Sequence, residues 1–280
     1  MNQPAFFRGR KLLIASMHRK EQVMAPILEA MLGVTCGTSE QLDTDQFGTF
    51  CGSTERTATP LETAVAKCRH ALEQTGADLG VASEGSFGPH PSLFFLPSDE
   101  EIVVLLDRLH GIEVHAAVTS LQTNFRSQEI TDTDTLLAFA REAGFPDHGL
   151  LLRSASAPLE PIKGIRKQSD LLAGFERLRA RHPQVLVETD MRAMHNPTRM
   201  RVIEEATQKL VEKLLSACPA CQFPGYAITG ATPGLPCAQC GIPTASPLTL
   251  HYACRHCGYG EDRRNQILVE DPTYCSCCNP

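Results

Sequence analysis

Apolar positions in the first 216 residues alternate between short continuous runs and stretches of helical period. "KLLIAS" (11–16) and "ADLGVAS" (77–83) are runs of strand length that read as buried strands. "EQVMAPILEAMLG" (21–33) puts Val23, Met24, Ile27, Leu28, Met31 and Leu32 on one helical face, with Gly33 as its stop. "TPLETAVAKCRHALEQTG" (59–76) repeats the pattern, with Val65, Cys68 and Leu72 inward and Gly76 closing. "EIVVLLD" (101–107) and "IEVHAAVTSL" (112–121) read as strands joined by "RLHG", a link short enough for a hairpin. An amphipathic helix, "DTLLAFAREAGFP" (134–146), stops at Gly144 and Pro146, and "GLLLR" (149–153) and "QVLVETD" (184–190) add two strands. "NPTRMRVIEEATQKLVEKLLSA" (196–217) starts with Asn196 as cap and Pro197 at the first helical position, and Ile203, Ala206, Leu210 and Leu214 mark its apolar face. Strands interleaved with helices, plus one hairpin, predict a three-layer α/β domain with a mixed β-sheet over residues 1–216.

Composition narrows the class. With 280 residues, 42% hydrophobic and 21% charged, the chain suits a soluble protein of one large and one small domain. No apolar run approaches the roughly 20 residues that span a bilayer, so no membrane partner is expected. Basic residues follow the short N-terminal apolar stretch without a small-residue cleavage site, so a secretory signal is not expected either. The net charge of -6 argues against a general nucleic-acid binder.

The cysteines divide the chain further. Of twelve, Cys36, Cys51 and Cys68 are scattered, while nine fall in the last 63 residues. A large domain without a disulfide framework points to a reducing, cytoplasmic setting. Four pairs have the C-x-x-C spacing: Cys218/Cys221, Cys237/Cys240, Cys254/Cys257 and Cys275/Cys278. Two such knuckles complete a closed tetrahedral site, so eight thiolates imply two structural zinc ions in a small Cys-rich double zinc-ribbon domain over 217–280. The strand-like "LTLHYAC" between them favours pairing Cys237/Cys240 with Cys254/Cys257 and Cys218/Cys221 with Cys275/Cys278; an interleaved arrangement, first pair with third and second with fourth, is the alternative. Cys277 stands where it can replace Cys275 or Cys278, and His251 and His256 read as surface residues. Arg255, Arg263 and Arg264 against Glu261, Asp262, Glu270 and Asp271 leave this segment at -1 before metal, and about -5 once eight thiolates and two zinc ions are counted. Such a module suits stability, a protein partner or homo-oligomer contact rather than a phosphate backbone.

Polar residues gather where strands end or helices begin: "ASMHRKE" (15–21), "DTDQFGTFCGSTERTATPLETA" (43–64), "ASEGSFGPHP" (82–91) and "ETDMRAMHNPTRM" (188–200). Ligands of open α/β sheets bind beyond the carboxyl ends of strands. Glu62, Glu84 and Asp190 are the candidate catalytic carboxylates, holding Mg²⁺ or orienting water. Ser16, His18, Lys20, Arg56, Arg192, Asn196 and Arg199 are the candidate substrate contacts. The helix start at Asn196 adds backbone N–H groups for an anion.

The unit "LLIASMHRKEQVMAPILEAML" resembles the strand, A-[ST]-x-N-x-x-K loop and helix that open the inosine-triphosphatase-like and Maf-like nucleotide pyrophosphatases. Ser16 matches, His18 stands in place of Asn, and Lys20 comes one position early. "ETAVAKCRHALEQTGADLGVASEGSFG" is similar in order to their second acid, helix and strand, matching Glu62, Lys67, Glu84 and Gly85, and "HNPTRMRVIEEA" resembles their basic loop through Arg199. The chain as a whole resembles a bacterial domain-of-unknown-function family with "SEGSFGPHP", "TDMRAxxNPTRM" and a Cys-rich tail ending in "CNP". The pyrophosphatase resemblance implies a Mg²⁺-dependent hydrolase of a phosphorylated substrate, a nucleoside triphosphate first. The alternative is a nucleotide-binding regulatory or interaction protein without turnover that signals through the zinc module.

Overall fold

The computed structural model describes residues 6–39, 58–154, 161–182 and 184–280. They form two compact units, Met1–Val211 and Glu212–Pro280, which divide inside the last long helix rather than after it. No helix among the described residues is long and apolar enough to cross a membrane.

The first unit opens with β1 (Lys11–Ala15), α1 (Glu21–Leu32), β2 (Thr35–Gly37), α2 (Pro60–Thr75), β3 (Leu79–Pro89), β4 (Pro97–Asp107) and β5 (Ile112–Ser120). Its five strands order as β2-β1-β3-β4-β5. β1 runs parallel to both β2 and β3, whereas β3, β4 and β5 are successive antiparallel neighbours, which makes the expected mixed sheet. In α1 the buried positions Met24, Leu28 and Leu32 recur every fourth residue, and α2 buries Ala64, Cys68, Ala71 and Leu72 against Ala82, Val104 and Leu106. Gly33 and Gly76 end these helices at φ 69° and 70°, the left-handed C-cap that glycine adopts without strain.

The chain then continues through β6 (Ser127–Ile130), α3 (Thr133–Glu142), β7 (Leu150–Ser154), β8 (Ile162–Ile165), α4 (Gln168–Arg179), β9 (Val185–Thr189) and α5 (Pro197–Leu215). These strands make a separate antiparallel sheet, β6-β9-β7-β8, instead of extending the first. Leu136 and Phe139 of α3 and Leu171, Phe175 and Leu178 of α4 pack on Leu150, Leu152, Val185 and Val187, giving this sheet its own core. The apolar face expected for α5 is present, with Ile203, Ala206, Leu210 and Leu214 all buried.

The second unit holds β10 (Ala227–Pro233), β11 (Pro247–Ala253) and β12 (Gly260–Arg264) in one antiparallel sheet with β11 in the middle.

Candidate functional site

Residues 84–89 do not leave the sheet. β3 continues through Glu84 and both glycines to Pro89, paired residue for residue with β4 down to Pro89↔Pro97. Only its parallel neighbour stops early, since β1 ends at Ala15 opposite Ala82. The expected strand end is therefore the end of β1, and Glu84 sits in mid-strand just beyond it.

Side chains alternate across a strand, so the two faces of this hairpin carry different chemistry. Even positions of β3 face α2. There Glu84, 1% exposed, accepts from Lys67 Nζ at 2.6 Å, a buried pair within the apolar α2 packing.

Odd positions carry a denser cluster. Gly85 stands opposite Glu101 and Phe87 opposite Asp99. The guanidinium of Arg199, from the first turn of α5, donates through Nε to Glu101 Oε1 and through Nη1 to the Met191 carbonyl, and lies 5.1 Å from the centre of the Phe87 ring. A Cβ at Gly85 would collide with Glu101 Oε1 and Arg199 Nη2, so the ion pair occupies the space that only glycine leaves open. Lys20 Nζ donates to the Ser83 carbonyl and hydroxyl at 3.1 and 2.9 Å, where β1 no longer runs alongside β3.

Two acids in this cluster keep carboxylate oxygens without a hydrogen-bond partner among the described residues. Among the described residues, Asp99 is 1% exposed with no partner for either carboxylate oxygen, and Glu101 Oε2 also has none. Burial, then the charge of Glu101, pushes the Asp99 carboxyl up to about 8 against the pull of Arg199 and Lys20. Burial and the nearby Arg199 lower Lys20 to about 8. Burial, with Lys20, Arg199, Arg192 and Lys67 around it, lowers His18 to about 3, so its imidazole is neutral.

Asp190 and Arg192 form a second constellation directly after β9. Asp190 Oδ1 accepts from the Arg192 backbone and Nε, and Oδ2 accepts from Arg192 Nη2 and the Gly164 backbone. Burial raises the Asp190 pKa, but the Arg192 hydrogen bonds and charge outweigh it and leave it below the usual carboxylate range. Asn196 caps α5 as expected, its Oδ1 taking the Arg199 N–H and its Nδ2 donating to Asn124. That N–H is thereby occupied within the protein rather than presented to an anion.

The structure thus brings Lys20 and Arg199 to Asp99 and Glu101, with His18 close to both cations, and Ser16 lies in the same loop, accepting the His18 N–H at 3.3 Å. Glu62 is elsewhere in role: exposed, it completes a capping box by accepting from the Thr59 backbone and hydroxyl. Arg56 lies outside the described residues. Asp99 and Glu101 lie outside the candidates of the sequence pattern; the one signal for them is "SDEE" running straight into "IVVLL", acids entering a buried strand.

The eight C-x-x-C thiols form two groups, but not the expected ones. Cys218, Cys221, Cys254 and Cys257 make one and Cys237, Cys240, Cys275 and Cys278 the other, all four sulfurs in each lying within 4.8 Å of one another. The interleaved alternative holds because Cys237/Cys240 and Cys254/Cys257 flank opposite ends of β11, and a seven-residue strand spans about 20 Å. Antiparallel pairing of Ala227 with Ala253 brings the first knuckle beside the third, and a parallel bridge from Cys237 to Glu270 brings the tail to the second. Three knuckles share one turn: Cys218, Cys237 and Cys254 donate to Phe223, Ile242 and Tyr259 carbonyls, with Gln222, Gly241 and Gly258 left-handed. Tetrahedral zinc with Zn–S bonds of about 2.3 Å requires S···S separations of about 3.8 Å. The structure has 3.7, 3.7, 3.9 and 3.6 Å, so both groups fit two structural metal ions of zinc type. Cys277 is exposed and belongs to neither group. His251 bonds Asp262 and Thr232, and His256 stacks on Phe223.

A family model described as a domain of unknown function, DUF6671, matches residues 67–280. A search of curated proteins finds no match. Among solved structures, protein VC0702 from Vibrio cholerae is similar at 11% identity and a TM-score of 0.35, covering 74% of this chain and 96% of that one. That likeness is too loose to bear on the fold or chemistry of this chain.

Proposed function

The chain belongs to the DUF6671 family, and we propose that its α/β unit is a divalent-metal-dependent hydrolase of a phosphorylated substrate, with nucleotides the first class to test. The reading rests on one observation: among the described residues, both oxygens of Asp99 and Oε2 of Glu101 are buried without a partner, beside the buried cations Lys20 and Arg199. An unpaired buried carboxylate is costly, and a divalent cation offsets that cost. Magnesium there would supply Lewis acidity and a more acidic water. Lys20 and Arg199 would neutralise phosphate charge, and the neutral His18 can accept a hydrogen bond. Glu84 and Asp190, engaged with Lys67 and Arg192, would position the strand and the α5 turn around that centre. The two four-cysteine groups would hold structural zinc in a reducing cytoplasm.

The test is release of phosphate or pyrophosphate from a nucleotide panel with and without Mg²⁺, by wild type and Asp99→Asn. Mg²⁺-dependent turnover lost in the variant, with its fold intact, supports the reading. Turnover unaffected by the substitution overturns the site. Tight nucleotide binding without turnover would move the chain to the regulatory alternative.

A further inference from the structure

A groove of about 590 Å³ opens on the second sheet of the α/β unit, between α3, the loop after it and the start of α4. Its volume is in the range of small-molecule sites, roughly 300–1,000 Å³. Leu137, Phe145 and Pro146 give it an apolar wall, while Arg141 and Arg166 stand over it with Asp134 as the acid in the lining. Among the described residues, neither arginine has an acidic partner within salt-bridge distance. Two cations against one acid leave the groove with an excess positive charge that nothing described neutralises.

The two arginines are presented differently. Arg166 donates through Nε to the Pro146 carbonyl at 3.2 Å and through Nη2 to the Asp147 carbonyl at 3.3 Å. The backbone thus fixes the plane of its guanidinium and leaves Nη1 uncommitted in these bonds. A fork held in place before a ligand arrives loses less entropy on binding than a free side chain. Arg141 follows from the last turn of α3 and is exposed.

We propose that this groove binds a small amphipathic organic anion: the carboxylate, sulfonate or phosphate on Arg166 and Arg141, and its apolar body against Leu137, Phe145 and Pro146. The site stands on different elements from the Asp99–Glu101 cluster and does not depend on the hydrolase reading.

The probe is 8-anilinonaphthalene-1-sulfonate, which carries a sulfonate on an apolar ring system and fluoresces when that ring system leaves water. Titration of the full-length protein should show one saturable site per chain. Arg141→Gln and Arg166→Gln should each weaken it roughly tenfold, the loss expected for one charge-assisted hydrogen bond. Phe145→Ala should weaken it as well, and Arg108→Gln, on the β4–β5 turn, should not. Hexanoate should displace the probe and hexanamide should not. Arg141→Gln guards against a folding artefact, because that side chain makes no described hydrogen bond for the substitution to break. Binding unchanged in the Arg141→Gln/Arg166→Gln double variant, equal displacement by hexanamide, or no saturable binding would overturn the proposal.

Discussion

Arg199 Nε and Glu101 Oε1 meet at 2.5 Å with both side chains 0% exposed, so the first turn of α5 is tied to the middle of β4 by an ion pair that water does not reach. Removing one partner of such a pair leaves the other charge buried, which costs about 3–5 kcal/mol. Arg199→Met should therefore lower the unfolding free energy by about that amount in a urea titration, with an unchanged slope. Arg199→Met/Glu101→Leu should recover most of the loss, because replacing both charges by apolar groups removes the unpaired one. Arg199→Lys should not rescue, since an ammonium cannot serve Glu101 and the Met191 carbonyl with the planar geometry found here. A double variant no more stable than the single one would show that the pair stabilises the fold beyond charge compensation.

Asp99 predicts a pH dependence with a definite sign. Its carboxyl is raised to about 8, so above the ordinary carboxylate range and up to about 8 the folded chain keeps a proton that the unfolded chain has lost. Stability from this group is full below that window and declines as pH rises through it. His18, lowered to about 3, works in the opposite direction, but only up to its ordinary value near 6.5. Lys20, lowered to about 8, adds stability only as pH rises above that point. The interval from about 6.5 to about 8 thus belongs to Asp99 within this cluster. With zinc retained and no Mg²⁺ added, the wild-type Tm should fall across it and the Asp99→Asn Tm should fall less. Mg²⁺ should raise the wild-type Tm more at pH 8 than at pH 6.5, because the ion then takes the place of a proton already leaving. Parallel curves for the two proteins would place the proton elsewhere.

The sequence pattern carried the helices well and the site less well, for physical reasons. α1, α2 and α5 show apolar residues at helical spacing between recognisable caps, and burial follows that spacing at Met24, Leu28 and Leu32. α4 carries the same signal in Leu171, Phe175 and Leu178, but its N-cap Lys167 makes no side-chain cap and Gly174 lies in its interior, so its local signals are weak. β3 was expected to end near Glu84, since Gly85, Gly88 and Pro89 are the residues of turns. The long pairing with β4 overrides that local preference, and Gly85 is needed for the space taken by Arg199 and Glu101. Asp99 and Glu101 are hard to read from sequence because acids ahead of an apolar run resemble a solvated strand entrance. Their place beside Arg199 of α5 and Lys20 is set by tertiary structure, which no local pattern shows.

Glu62 separates a capping role from a chemical one. Its carboxylate accepts from the Thr59 backbone and hydroxyl, and this bonding lowers its pKa. Glu62→Ala should lower the Tm modestly and leave Mg²⁺-dependent phosphate release, where present, near the wild-type rate. Glu62→Gln should restore part of the stability, because Gln can close the same capping box. Loss of turnover in Glu62→Ala with the fold intact would return this residue to the chemistry.

The interleaved cysteine pairing makes a counting prediction that the nested one contradicts. Each group of four holds one ion, and loss of a thiolate opens a site that owes its stability to closure. Elemental analysis of the intact protein should give about two zinc ions per chain. Cys218→Ser/Cys254→Ser removes two ligands of one group and should leave about one ion. Cys218→Ser/Cys275→Ser removes a ligand from each group and should leave about none. Pairing Cys218/Cys221 with Cys275/Cys278 would reverse both results, because the first variant would then damage two sites and the second only one. Cys277→Ser should keep both ions, as its thiol lies outside either group. The pairing depends on β11, whose length keeps the knuckles at its two ends from sharing an ion. A shared ion between Cys240 and Cys254 would require that strand to be broken.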